Sequence, residues 1–165
     1  MRSDLSIILA PVDRLFKEII DFIPIETKYL DFRSDLAGLL VVTMSAAYEN
    51  CVKETLVNYC TRHNSMFGAF ASKQYEKLNS KINAGDLIGY AKLFGLKEDY
   101  KSRLRIKREA VLQRTTKDIC DSYDQILIWR HQYAHSRRQN TTVEEAFATH
   151  IFAKRVLFVF SDCFC

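Results

Sequence analysis

Helix-breaking residues are scarce in this chain, and their placement limits the folds it can adopt. Five glycines and two prolines occur among 165 residues, and both prolines lie within the first 24 positions. Because proline interrupts helices and glycine weakens them, the long proline-free remainder favours long helices over a turn-rich β fold. No segment alternates apolar and polar residues in the manner of a half-buried strand. The sequence therefore predicts an all-α fold.

The size and composition are those of an ordinary globular protein. A chain of 165 residues, with 48% hydrophobic and 27% charged residues, is large enough for one compact core, so we expect a single helical domain over residues 1–165. The net charge of +4 is too small to indicate a nucleic-acid partner by itself.

Cysteine usage and hydropathy bear on the cellular compartment. Five cysteines without closely spaced CxxC pairs indicate free thiols in a reducing compartment, although Cys163 and Cys165 could together bind a soft metal. No signal peptide is evident, and the longest uncharged run, Leu36 to Tyr48, is too short to cross a bilayer. We expect a cytoplasmic protein with no membrane partner.

Apolar spacing predicts a bundle of four or five main helices with shorter helices between them. The expected helices cover about residues 5–22, 34–62, 66–78, 83–95, 116–137 and 142–160. Residues 97–117 are highly charged, and we predict them to be only partly helical. The helix over 34–62 is apolar nearly all round in its first half, as expected for a central, buried element. Thr141 or Thr142, followed by Glu144 or Glu145, predicts a capping box at the start of the last helix.

Arg130 falls in the middle of the predicted core stripe of the helix over 116–137. At about 100° per residue, the stripe consists of Ile119, Tyr123, Ile126, Tyr133 and Ala134. A guanidinium directed at a core must be paired or must line a wet pocket. Two interpretations stay open, a snorkelling arginine with a carboxylate partner and a phosphate-binding arginine.

His131 and His135 lie one turn apart on a different face, together with Asp124 and Ile128. This face is mixed in polarity, so it suits a groove or a protein interface. Two histidines at this spacing could also supply half of a zinc site, or simply be solvated. Since the sequence offers no H-E-x-x-H motif or further Cys/His set, we expect no metal and no other cofactor.

Glu49 and Lys53 follow the uncharged first half of the central helix. Their spacing of four residues allows an ion pair within the helix. However, an acid on an apolar strip requires a partner, and Arg130 requires one as well. We therefore expect Glu49 and Arg130 to pair across the two helices.

The stretch Arg130-His131-Gln132-Tyr133-Ala134-His135 resembles the R-x4-6-H signature of the HEPN family, small all-helical domains of which many are metal-independent endoribonucleases. Glu49-Asn50-Cys51-Val52-Lys53 fits an E-x3-K/R motif that several HEPN families carry on an earlier helix. The similarity covers the helical layout from about residue 34 to 160. His131 is a departure, because the family commonly has Asn or Asp directly after the motif arginine.

This resemblance implies a homodimer in which two R-x4-6-H motifs face each other in a composite cleft. It implies that His135 exchanges protons with the ribose 2′-hydroxyl or the leaving 5′-oxygen, and that Arg130 holds the phosphate. Glu49 would orient Arg130 or His135, and His131 joins the expected catalytic set. The implied activity is metal-independent RNA cleavage by 2′-hydroxyl attack, in a toxin or phage-defence effector with a possible antitoxin or defence-system partner.

A run of basic residues could hold the RNA. Seven cations lie within seventeen positions: Lys101, Arg103, Arg105, Lys107, Arg108, Arg114 and Lys117. Such a run attracts a phosphate backbone, although charge runs are more often solvated faces. The expected substrate contacts are Lys53, Arg103, Arg105, Lys107, Arg137 and Arg138. Two alternatives remain, a non-catalytic HEPN-like module that binds RNA, nucleotide or a partner protein, and a helical interaction protein with a core ion network.

Overall fold

The computed structural model describes residues 2–76, 78, 82–136 and 141–165, without the side chains of residues 2, 3 and 136. Within these ranges the chain forms α-helices, one short 3-10 turn at Thr27–Tyr29, and no strand. The helices are α1 (Arg2–Phe22), α2 (Leu30–His63), α3 (Ser65–Gln74), α4 (Ala84–Leu93), α5 (Lys97–Thr115), α6 (Ile119–Ser136) and α7 (Val143–Cys163). The all-α prediction is confirmed.

Capping side chains precede α7 and α4. The capping box predicted for α7 forms only in part, because the Glu145 carboxylate accepts a hydrogen bond from the Thr141 hydroxyl. Thr142 precedes α7, and its hydroxyl accepts a hydrogen bond from the backbone N–H of Glu145 at 3.1 Å. Asn83 and Asp86 form a reciprocal capping box at the start of α4. These contacts satisfy N–H groups that have no partner within the helix.

The charged segment over 97–117 is a continuous helix, α5, where only partial helicity was expected. Lysine, arginine, glutamate and leucine are good helix formers, so the segment needs little apolar patterning. Glu98 and Asp99 in its first turn and Arg114 in its last turn also complement the helix dipole. Thr116 then ends the helix in a left-handed conformation, with φ of 58°.

Helix α2 is the central element, and it packs against α1, α6 and α7. Its buried side includes Leu40, Met44 and Leu56, each with no exposed surface. The expectation of burial nearly all round is wrong for one strip, because Leu39 is 48% exposed and Ala46 is also exposed. No described helix covers that strip.

Two contacts fix the register between α2 and α6. The rings of Tyr48 and Tyr123 stack with centroids 5.3 Å apart, and Gly38 lies directly against Tyr133. From the first contact to the second, residue numbers rise along α6 and fall along α2, so the two helices are antiparallel. The C-terminal turns of α6 therefore lie beside the N-terminal third of α2.

Arg33 joins three segments at this end of the bundle. Its side chain is buried, and it donates hydrogen bonds to the carbonyl of Ile23 and the carboxylate of Glu144. The first lies just after α1, and the second lies in the first turn of α7. Arg33 thereby holds the end of α1 and the start of α7 against α2.

The cysteines are unpaired, as the sequence predicts. Among the described helices, none combines the length and the apolar character that a membrane span requires.

Candidate active site

The two motif histidines lie side by side at the end of α6. The ring centroids of His131 and His135 are 4.3 Å apart, and both side chains are exposed. Ile128, one turn earlier on the same face, is 48% exposed. Asp124 lies further towards the start of this face, where its carboxylate accepts a hydrogen bond from the backbone N–H of Ala84 at 3.0 Å. The predicted mixed, accessible face therefore exists, with α4 covering its first part.

Arg130 does not share the direction of the histidines. Five helical positions separate it from His135, so their side chains leave α6 about 140° apart. Arg130 is half-buried, whereas Trp129 is only 7% exposed and Ala134 is exposed. The predicted core stripe is correct for Ile119, Tyr123 and Ile126, which are buried, and wrong for Ala134, because the last turn of α6 extends past the buried core. Tyr133 is half-buried and lies against α2 at Gly38. Within one chain, the motif arginine and His135 do not converge.

Glu49 pairs with Lys53, not with Arg130. The Lys53 Nζ and Glu49 Oε1 atoms are 3.2 Å apart, and no ion pair joins Glu49 to Arg130 in the described part of the chain. The register explains this. Because Tyr48 lies against Tyr123, Arg130 lies roughly 10–12 Å further along α6 than the level of Glu49, at 1.5 Å per residue. The expected Glu49–Arg130 pair is wrong, and so is the expectation that Glu49 orients the motif within its own chain.

Glu49 lies instead near Tyr90 of α4. Burial raises the pKa of the Tyr90 phenol, and the negative charge of Glu49 is among the smaller causes of that increase. Lys53 also lines an open cavity of about 490 Å³ beside the start of α1, together with Asn50 and Glu54. The expected substrate contact Lys53 therefore lies on a different part of the surface from His135.

The basic residues of α5 are divided between surfaces. Arg103, Arg105 and Lys107 are all exposed. Arg103 donates to Asp99, with Nε and Oδ2 2.8 Å apart. Arg103 and Lys107 also line a groove between α5 and α7, formed by two adjacent cavities of about 370 and 260 Å³. The α7 side of this groove includes Arg155, Val159 and Asp162.

This α5–α7 groove is remote from His135 in the same chain. Trp129 of α6 and Thr149 of α7 line one cavity and so lie within about two helical turns of each other along the bundle. His135 lies beyond Trp129, whereas Val159 lies beyond Thr149 in the opposite direction, so the separation along the bundle is roughly 25 Å. Within one chain the expected substrate contacts Arg103 and Lys107 therefore lie far from the motif, and their contact with RNA stays a prediction. Arg137 and Arg138, also expected substrate contacts, lie outside the described residues.

His150 is a buried polar residue that the sequence prediction missed. It has no exposed surface, and its Nδ1 lies 2.9 Å from the Tyr48 hydroxyl in a hydrogen bond. Its Nε2 is 3.9 Å from Asp13 Oδ1, too far for a hydrogen bond. Burial, with a smaller contribution from Lys154, lowers the pKa of His150 to about 3, so the ring is neutral at physiological pH. The sequence feature that could have identified His150 is its position on the apolar face of α7.

In the described residues, no group of three or more His, Cys, Asp or Glu side chains is arranged to hold a metal ion.

An antiparallel helical bundle with an arginine and two histidines in the last turns of its penultimate helix has the organisation of a HEPN domain. The family model described as RiboL-PSP-HEPN matches residues 12–165. The chain belongs to this family, and the resemblance suggested by the sequence motifs is confirmed. The match includes both the Glu49–Lys53 segment and the Arg130–His135 motif. No curated protein and no solved structure matches the chain.

Proposed function

We propose that this protein is a metal-independent endoribonuclease whose active site combines Arg130 and His135 from two copies of the chain. The observation that carries the proposal is the exposed His131–His135 pair, with rings 4.3 Å apart, beside Arg130 at the end of α6 in a HEPN-family domain. Imidazole exchanges protons near neutral pH, and guanidinium binds phosphate oxygens through two hydrogen bonds.

The proposed reaction needs these groups in three roles. A neutral imidazole removes the proton of the ribose 2′-hydroxyl, and the 2′-oxygen attacks the adjacent phosphorus. The bond from phosphorus to the 5′-oxygen breaks, and an imidazolium donates a proton to that oxygen. Arg130 stabilises the negative charge on the phosphoryl oxygens. Because His131 and His135 are adjacent, one ring can supply the base and the other the acid. The products are a 2′,3′-cyclic phosphate and a 5′-hydroxyl.

A second copy resolves the divergence of Arg130 and His135. Their directions on α6 differ by about 140°, so the two side chains of one chain leave the helix on different sides. A two-fold symmetric dimer that packs α6 against α6 would bring each Arg130 towards the partner's His135. The half-exposed apolar side chains of Leu39 and Ile128 support an interface at this end of the bundle.

The decisive experiment is cleavage of labelled single-stranded RNA in the presence of EDTA. We expect wild-type protein to cut the RNA and to leave a cyclic phosphate end, and we expect His135→Ala to reduce the rate by about 10²–10⁴-fold. His63→Ala is the matched control, because His63 is an exposed histidine at the opposite end of α2. Cleavage by folded His135→Ala at the wild-type rate would exclude this mechanism.

A non-catalytic RNA-binding module is the second candidate. It is favoured by one observation, the distance of roughly 25 Å between the basic α5–α7 groove and the histidine pair. Such a module would bind the labelled RNA and leave it intact under the same conditions.

The physiological role that we propose is that of a toxin or phage-defence effector. A ribonuclease that contacts phosphates without reading bases would damage the RNA of its own cell, so it requires control by a partner such as an antitoxin. Induced expression is expected to arrest growth for the wild-type chain and not for His135→Ala. Equal growth of the two strains, with equal amounts of protein, would contradict this role.

A further inference from the structure

Gly38 is an unusual residue for its position in the fold. It is the single glycine of α2, a helix of 34 residues, and glycine within a helix costs stability relative to alanine. A Cβ atom at Gly38 would lie 2.1 Å from Cε2 and 2.4 Å from Cδ2 of Tyr133. No real contact is that short, so the Tyr133 ring occupies the space of the missing side chain. The tyrosine packs directly on the backbone of α2.

Tyr133 lies between Arg130 and His135 in the sequence of the motif. Its contact with Gly38 therefore fixes the distance between α2 and the turns of α6 that carry Arg130, His131 and His135. The neighbouring Arg33 fixes α1 and α7 to α2 at the same end of the bundle. The α2 backbone at Gly38 is thus the surface against which the motif is positioned.

We propose that Tyr133 is a positioning residue of the active site, and that glycine is required at position 38 because the Tyr133 ring occupies the space of a side chain there. The inference rests on the proposed ribonuclease function and assigns a role to two residues that touch neither substrate nor reacting atoms. A Cβ atom at position 38 forces the Tyr133 ring to move. If the last turns of α6 move with the ring, the catalytic groups are displaced as well. A displacement of about 1 Å in a catalytic group can reduce a rate by about 10²-fold.

The first test compares two glycine-to-alanine substitutions within helices. We expect Gly38→Ala to lower kcat by about 10–100-fold, with KM changed less than about 3-fold, because catalytic groups move while the RNA-binding surface persists. Gly89→Ala is the matched control, since nothing lies within 4 Å of a Cβ atom built at Gly89. Equal kcat for the two variants, both folded, would overturn the proposal.

The second test asks whether the two residues act together. Tyr133→Ala removes the ring, and we expect it to lower kcat as well. In Gly38→Ala/Tyr133→Ala the new methyl group meets no ring, so kcat should exceed the product of the two single effects by at least about 5-fold. Tyr133→Phe keeps the ring and should retain kcat within about 3-fold. Strictly multiplicative effects, or a Tyr133→Phe variant as impaired as Tyr133→Ala, would contradict a positional role.

A third measurement separates this inference from the ribonuclease activity. The chain has four histidines, so the imidazole C–H signals of His131 and His135 can be assigned by single substitutions and followed by NMR without RNA. We expect Gly38→Ala to shift both signals and Gly89→Ala to shift neither. If the wild-type protein cuts no RNA, shifted signals would still support the positioning contact while the function fails. Unshifted signals in folded Gly38→Ala would overturn the contact itself.

Discussion

Arg130 and His135 are two residues of one motif in different surroundings. His135 is exposed, and Arg130 is half-buried without an ion pair to Glu49. An arginine held in a buried pair would leave an uncompensated charge when the pair is broken, at a cost of about 3–5 kcal/mol. Because that pair does not form, the cost of removing Arg130 should fall on catalysis and not on folding.

We therefore expect Arg130→Ala and His135→Ala to abolish RNA cleavage while each changes the free energy of unfolding by less than about 1 kcal/mol. Urea denaturation followed by circular dichroism measures this. A loss of 3 kcal/mol for Arg130→Ala would show that the arginine has a buried partner in solution, contrary to the geometry described above.

His150 gives the stability a defined pH dependence. Its pKa is about 3 in the folded protein and 6.5 as the ordinary value. Between these limits the unfolded chain binds a proton at His150 that the folded chain does not, so stability is lost as pH falls from 6.5 towards 3. The contribution of this group is about 1.4 kcal/mol per pH unit at most. His150→Gln does not titrate there, and subtracting its pH profile isolates the effect. If the stability of the wild type and of His150→Gln depended on pH in the same way, the His150 ring would be charged or accessible in the folded protein.

At the scale of the element, Arg33 joins α1, α2 and α7, and its contribution can be tested through Glu144. The Glu144 side chain is 44% exposed, whereas that of Arg33 is 8% exposed. Glu144→Gln leaves the buried guanidinium without its carboxylate, so we expect a loss of about 1–3 kcal/mol, discounted for solvent on the glutamate side. Adding Arg33→Met should recover part of that loss, because the buried charge is removed as well. A double variant less stable than Glu144→Gln would contradict this account.

Helix existence could be predicted from the sequence, but the relation between helices could not. The capping residue Thr142 and the apolar spacing of α7 are local signals, and the structure bears them out. The Glu49–Arg130 pair failed because the register of α2 on α6 depends on Gly38 and Tyr133, a contact between residues far apart in the chain. Wheel angles show which side of a helix a residue occupies, but not its level on a neighbouring helix.

Contact between RNA and the basic residues of α5 can be tested at the scale of the element. RNA that covers His135 and reaches the α5–α7 groove must span roughly 25 Å, or about seven nucleotides at 3.4 Å per stacked nucleotide. For a longer single strand, we expect Arg103→Gln/Arg105→Gln/Lys107→Gln to weaken binding and to flatten the log–log salt dependence by about 2, at 0.7 per phosphate. A strand of five nucleotides is too short to reach from the motif to the groove, so the variant and the wild type should cut it at equal rates. An unchanged slope with the longer strand would mean that these residues form only a solvated face.

At the scale of the whole molecule, the proposed shared site requires two copies of the chain to associate near the motif. The histidine face and the exposed strip of α2 carry the half-exposed Ile128 and Leu39. If the active site forms there between two copies, light scattering at tens of micromolar protein should give roughly 38 kDa, twice the chain mass. Mass alone does not show that the copies share a site, so a functional test of sharing is required.

Mixing two inactive variants provides that test. Arg130→Ala and His135→Ala are each expected to be inactive as homodimers. In a mixed dimer, one of the two composite sites contains the intact Arg130 of one chain and the intact His135 of the other. With random exchange, half of the dimers are mixed and each has one working site, so about a quarter of wild-type activity should return. Co-purification through two different tags confirms that mixed dimers have formed. Mixed dimers without activity would place Arg130 and His135 of a working site in the same chain and exclude a site shared between copies.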